Sequence, residues 1–298
     1  MGLFSFIKKV DFNNNLQPNT SSLSPVEVLF LNYINGRNTQ NPNIAGYWTY
    51  EYNLNYKKVI DKLINNGYIK ESDYKFNISK LKIDELKKML INRSLKTTGK
   101  KAELIKRILD NYSEEECKKL FNQSFFQLTE KAVELLSHNK HILYIHSKKS
   151  YFAITVDAAD KVKKLNPHYT EYDVALHILR EDLGKHYKNK DWGLYRNVIY
   201  AISLVYGDLE EYELQLNSLF EICYRDLSGL SNSNHIDSKD LVCLAPGIIN
   251  SIIRIQEKLS LSDQELKTKY LQLISKVKLA HHHYSNEQTW KLIYSEIK

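Results

Sequence analysis

Cysteine is scarce. The three in the chain, Cys117, Cys223 and Cys243, lie far apart, are odd in number and form no CxxC pair. Neither a disulfide framework nor a zinc site follows from such spacing, and a reducing cytoplasm is the expected compartment. Long apolar runs are also missing. None approaches the roughly 20 residues that span a bilayer, so no membrane partner is expected. The opening MGLFSFIKKV has too short an apolar stretch for a signal peptide. It carries Phe6 where a myristoylation signal wants Ser or Thr, and is expected to dock on the body of the protein, with contact to a membrane surface as the alternative.

Catalytic signatures are missing as well. The sequence holds no Walker lysine loop, GxGxxG, HExxH or GxSxG, and no Cys–His nucleophile arrangement. A metal-dependent nuclease clusters acids around its metal. Here Glu181–Asp182 and Glu210–Glu211 are adjacent on expected helices and so point to different sides. Asp157 and Asp160 are spaced i, i+3 at a helix start, where acids complement the dipole. His138, His141 and His146 have no acidic or thiol partner at ligand spacing, and the run His281–His283 reads as loop or core packing. The expectation is a non-enzymatic protein with no cofactor and no metal.

What is present is a strongly local excess of positive charge. The 298 residues carry a formal net charge of +7 and a pI near 9.0. In Lys80–Arg107, KLKIDELKKMLINRSLKTTGKKAELIKR, ten basic residues face three acids, so this one window equals the net charge of the whole chain. The rest is neutral, and extension to Glu116 brings in four more acids. Inside the window Leu86 and Leu90 recur at i, i+4, and Leu104, Ile105, Ile108 and Leu109 form a second apolar set at helical spacing. Two short amphipathic helices are expected, joined by RSLKTTGKK, with Leu95 plugging the gap between them. Thr98 is the expected N-cap of the second helix. Gly99 lets backbone approach a partner, and Lys100 and Lys101 crowd the helix start. Cations at the positive end of a helix dipole are unfavourable by a few tenths of a kcal/mol. Lysines and free N–H groups together at that end suit a phosphate.

The run L-x-I-x-E-L-K-x-x-L-x-x-R-x-L-x-x-x-G-K-K-A-E-L-I-x-R, over residues 78–112, resembles the SAP motif, the helix–extended loop–helix module of chromatin and DNA-repair proteins. Ser94 stands where that family usually has glycine before the connector leucine. The resemblance implies binding of duplex DNA, often AT-rich, through the connector and the start of the second helix. Carried over residue by residue it implicates Arg93, Lys96, Thr98, Gly99, Lys100, Lys101 and Arg107, in a protein of bacterial or phage type.

The expected fold is mainly α, in five segments. Residues 1–23 are an N-terminal segment and polar linker. Residues 24–77 are a small α+β scaffold, opened by a Ser24–Pro25–Glu27 capping box. Its aromatic-rich YWTYEYNLNY alternates in places like a strand, and KVIDKLINNGYI resembles the second helix and first wing strand of a winged helix. The SAP hairpin occupies 78–112. Residues 113–154 form a small α/β segment in which a Ser113-capped helix is followed by strand, Thr129-capped helix and strand. Residues 155–298 form a helical bundle, with helix starts at Thr170, Asp191, Asp208, Pro246, Ser262 and Ser285. YGDLEE between two of these helices looks like the turn of a tetratricopeptide-type hairpin, and 231–240 is the main internal loop. Two main functional readings follow. In one the hairpin grips DNA and the C-terminal half binds a protein partner or a second copy. In the other the helical half of an interaction adaptor carries the function. A third, less favoured, makes the chain the DNA-targeting part of a nuclease.

Overall fold

The computed structural model describes residues 23–121 and 123–298, which form sixteen α-helices and two short strands. The docking expected of the first ten residues lies outside them. Contacts divide the chain into two compact units, with the division between Leu143 and Tyr144.

The first unit starts with α1 (Pro25–Ile34). The Ser24 and Glu27 side chains each accept from the other's backbone N–H, and Pro25 fills the first helical position. The YWTYEY stretch is not a strand. It forms the single turn α2 (Tyr47–Tyr50), because Trp48 is wanted in the core: it is 1% exposed and meets Phe30 edge to face at 5.0 Å. Then α3 (Tyr56–Asn65) closes on Gly67 at φ +69°, a left-handed position that suits glycine. It leads into β1 (Ile69–Glu71). The partner strand β2 (Phe126–Leu128) arrives only after the whole basic region, and pairs antiparallel with Ile69 opposite Leu128. On its other edge β2 meets the segment after α1. Gly36 N–H donates to Phe126 O (2.7 Å), Phe126 N–H to Arg37 O (2.9 Å), and Asn38 bridges Phe125. Helix, edge segment, two helices and two strands in this order form a small winged-helix-like layout, with residues 72–125 in place of the wing tip.

That insertion carries α4 (Tyr74–Lys80), α5 (Ile83–Asn92), α6 (Lys101–Asn111) and α7 (Glu114–Leu120). Asn77, 6% exposed, bolts its two ends together. Its amide donates to Phe121 O (3.3 Å) and Gln123 O (2.8 Å), and its oxygen accepts from Ser72 Oγ (2.5 Å). Ser72 Oγ in turn accepts from Phe125 N–H (2.9 Å). Asn77→Ala would strand several of these groups. The expected cost in a urea titration is about 1–3 kcal/mol.

After β2, Thr129 caps α8 (Glu130–His138) through Ala132 N–H. The following HILYIHS is not a strand either. It forms α9 (Lys140–Ser147), with His141, Ile142 and Ile145 buried, a spacing that fits a helix better than alternation.

The second unit is all helical among its described residues: α10 (Val156–Leu165), α11 (Glu171–Asn189), α12 (Trp192–Asp208), α13 (Tyr212–Asp226), α14 (Pro246–Lys258), α15 (Asp263–Ile274) and α16 (Asn286–Ile297). Thr170, Ser262 and Ser285 cap as expected. Asp208 does not. It is the last residue of α12, and its carboxylate takes the Tyr144 hydroxyl (2.7 Å) and Lys148 (2.6 Å), while Glu211 precedes α13. Nor does Asp191 cap α12 with its side chain, which accepts instead from Ser233 N–H (3.2 Å). That bond helps pin the 231–240 loop, as does Trp192 Nε1–H donating to Asn234 (2.9 Å). The α12–α13 hairpin turns at Glu210, φ +59°. Buried within it, Arg225 bonds Glu221 (2.6 Å) and stacks on the Tyr195 ring at 4.3 Å.

Candidate nucleic-acid interface

The two hairpin helices form because each buries one narrow stripe. Leu86 and Leu90 of α5 and Leu104 and Ile108 of α6 have no exposed surface, nor have Ile78 of α4 and Cys117 of α7. Leu95 packs against this core from the connector, as the sequence suggests. All the charge therefore stays outside.

The chain leaves α5 through a Schellman turn. Ser94 N–H donates to Ile91 O (2.8 Å), Leu95 N–H donates to Leu90 O (2.8 Å), and Ser94 sits at φ +55°. The departure noted at Ser94 thus falls on the one left-handed residue of this turn. Glycine takes such a conformation without penalty. Ser94→Gly is therefore expected to stabilise the unit by about 0.5–1 kcal/mol, read from its urea midpoint, without altering the connector.

The connector, Leu95 to Lys100, runs to the start of α6. Thr98 is not the N-cap, which is Lys100, two residues later. Lysine has no acceptor to offer the helix. Instead Glu103, in the third helical position, reaches back and accepts from Lys100 N–H at 3.2 Å. The same device starts α5, where Glu85 accepts from Lys82 N–H at 2.6 Å. Gly99 makes the arrangement possible: at φ +130°, a Cβ added there would collide with Glu103 Oε2. The N–H groups of Lys96, Thr97, Thr98, Gly99, Lys101 and Ala102 find no acceptor among the described residues. Lys96 and Lys100 are exposed, Lys101 is half-buried, and none pairs with a carboxylate among them. Exposed Lys87, Lys88 and Lys106 on the flanking helices are likewise unpaired.

The two arginines implicated by sequence are engaged within the protein. Arg93 caps the end of α5 and lies 4.3 Å over the Tyr112 ring. It donates to Asn111 O (2.9 Å) and forms an ion pair with Glu116. Hydrogen bonds from Ser113, and then Arg93 alongside, hold the Glu116 carboxyl below the usual carboxylate range. Arg107 Nη1 donates to the carbonyls of Lys96 (2.5 Å) and Thr98 (3.2 Å). Sequence reasoning missed Glu116 because an acid at the third position of a Ser113-capped helix is already explained as a capping-box member. No periodicity reports the carbonyls that Arg107 holds.

Elsewhere, His281 and His283 hydrogen-bond to each other (3.2 Å), His283 to Asp237 O (2.8 Å), and His282 to the Tyr224 hydroxyl (3.1 Å). Among the described residues no group of three or more His, Cys, Asp or Glu could hold a metal ion, and no helix is long and apolar enough to cross a membrane.

Residues 77–113 match the family model of the SAP domain. The match adds one residue at each end to the span read from sequence, and takes in Asn77 and the last turn of α4. No curated protein matches the chain. The segment is thus SAP-like in sequence and in its helical hairpin, and a SAP domain points to nucleic acid in general as ligand.

Proposed function

We propose that the chain is a non-enzymatic DNA-binding protein that holds the backbone of duplex DNA, preferentially AT-rich, on its SAP hairpin. The observation that carries this reading is the connector. Six backbone N–H groups without an acceptor among the described residues lie in one short stretch with the unpaired Lys96, Lys100 and Lys101. Lysines and free main-chain donors together are what phosphate oxygens need. Thr98 and Gly99 lie in the middle of that stretch. Arg93 and Arg107 hold the hairpin in shape. The cysteine pattern fits a reducing cytoplasm.

The test is a footprint of the full chain on matched AT-rich and GC-rich duplexes, with affinity measured as salt is raised. Three to five phosphate contacts give a log–log slope of roughly −3 to −4. Equal affinity for both duplexes removes the AT preference, and a flat salt dependence removes the backbone contact.

For the second unit the reading is a surface for a protein partner or a second copy. Leu165, Leu241 and Tyr187 are 72%, 68% and 58% exposed, apolar surface that a partner could cover. Were this surface to carry the function alone, the protein would be an adaptor with the hairpin as a tether. Capture of one specific protein by the full chain on nuclease-treated beads would favour that alternative.

A further inference from the structure

Of the cations in the basic window, Arg107 is the one whose guanidinium is bonded to the connector. From α6 it reaches across and donates from Nη1 to the carbonyls of Lys96 and Thr98. These bonds bracket Thr97. The connector has no other anchor over Lys96–Gly99 among the described residues, since none of its four N–H groups has an acceptor. Leu95 is fixed by its packing and by the Schellman turn, and Lys100 by Glu103. Between these points Arg107 supplies the hydrogen bonds that restrain the backbone among the described residues.

We infer that Arg107 is a positioning residue, which prepares the connector for nucleic acid by holding the Lys96 and Thr98 carbonyls, and is not simply one more phosphate contact. The inference rests on the proposed DNA-binding reading. Four free N–H groups and two lysines bind phosphates tightly only when their directions are fixed beforehand, because ordering a loose segment costs affinity. By occupying the two carbonyls, the guanidinium also keeps acceptor oxygens from facing a phosphate oxygen. Lysine at this position keeps the charge, but its shorter side chain ends in a freely rotating ammonium in place of the rigid guanidinium whose Nη1 reaches both carbonyls.

The test compares Arg107→Lys and Arg107→Met in the full chain. Backbone order parameters for residues 96–99 are measured in the free protein by amide relaxation. Duplex affinity is measured across a salt series. For a clamp, Arg107→Lys lowers the order parameters of Thr97–Gly99 from about 0.85 toward 0.6 while α6 stays rigid. It also weakens duplex binding about tenfold and reduces the salt slope by about one, although net charge is unchanged. The inference is overturned if Arg107→Lys leaves connector order and affinity as in the parent while Arg107→Met alone lowers the slope, since that is how a direct phosphate contact behaves. The relaxation result decides the clamp even where the parent fails to bind duplex, so failure of the DNA-binding reading is separately visible.

Discussion

Lys100→Glu combined with Lys101→Glu is expected to lower duplex affinity at low salt by about 100-fold or more, and to reduce the salt slope by about two. The two side chains stand at the N-cap and first position of α6. Each substitution removes a phosphate contact and sets a carboxylate against the same phosphate. The fold is expected to respond in the opposite direction. A lysine at either position opposes the helix dipole by a few tenths of a kcal/mol, and a glutamate there complements it. The carboxylate introduced at the N-cap would stand beside that of Glu103, and their repulsion limits the gain but does not reverse it. The double variant should therefore melt no lower than the parent. A binding loss of several kcal/mol against a fold change below about 1 kcal/mol cannot be blamed on unfolding. Unchanged duplex affinity in an electrophoretic or anisotropy titration at low salt would end the proposal that this hairpin holds DNA.

The same pair shows what of the candidate site could be read from the sequence. Functional sites are where local rules are most often broken. Two lysines crowding a helix start, where cations are unfavourable, are a local misfit that the sequence exposes even with Thr98 read as the cap. Helix starts that obey the rules were equally readable: Ser24, Ser113, Thr129, Thr170, Ser262 and Ser285 cap where their three-residue spacing to an acid or amide, or their hydroxyl, places them. Misreadings occurred where one residue satisfied a local rule while a distant partner claimed it. Asp208 is a good cap by type, yet Tyr144 and Lys148, some sixty residues earlier in the chain, hold its carboxylate. Thr98 is another good cap by type, but the helix begins later because Glu103 supplies the missing acceptor from inside. Trp48 pulled a strand-like aromatic run into a helical turn by burial. The insertion of the SAP domain between β1 and β2 was invisible for the same reason, since pairing of Ile69 with Leu128 is a long-range choice that neither segment announces.

Leu104→Ala is expected to cost the hairpin about 2–5 kcal/mol, and with it the shape of the connector. Six side chains make up its fully buried core: Ile78, Leu86, Leu90, Leu104, Ile108 and Cys117. Two of them, Ile78 and Cys117, come from α4 and α7, outside the hairpin helices. A core so small has little with which to fill a cavity, so the cost belongs toward the upper part of that range. Ile78→Ala probes the flanking contribution. If α4 completes the core, it should lower the urea midpoint nearly as far as Leu104→Ala. If α5 and α6 are self-sufficient, it should cost no more than a surface substitution, within about 0.5 kcal/mol. The first result is expected, because Ile78 is as fully buried as Leu104, and Asn77 beside it ties α4 to the chain entering β2. The nucleic-acid grip would then be a built-in part of the first unit, its geometry set by the same contacts that close the sheet.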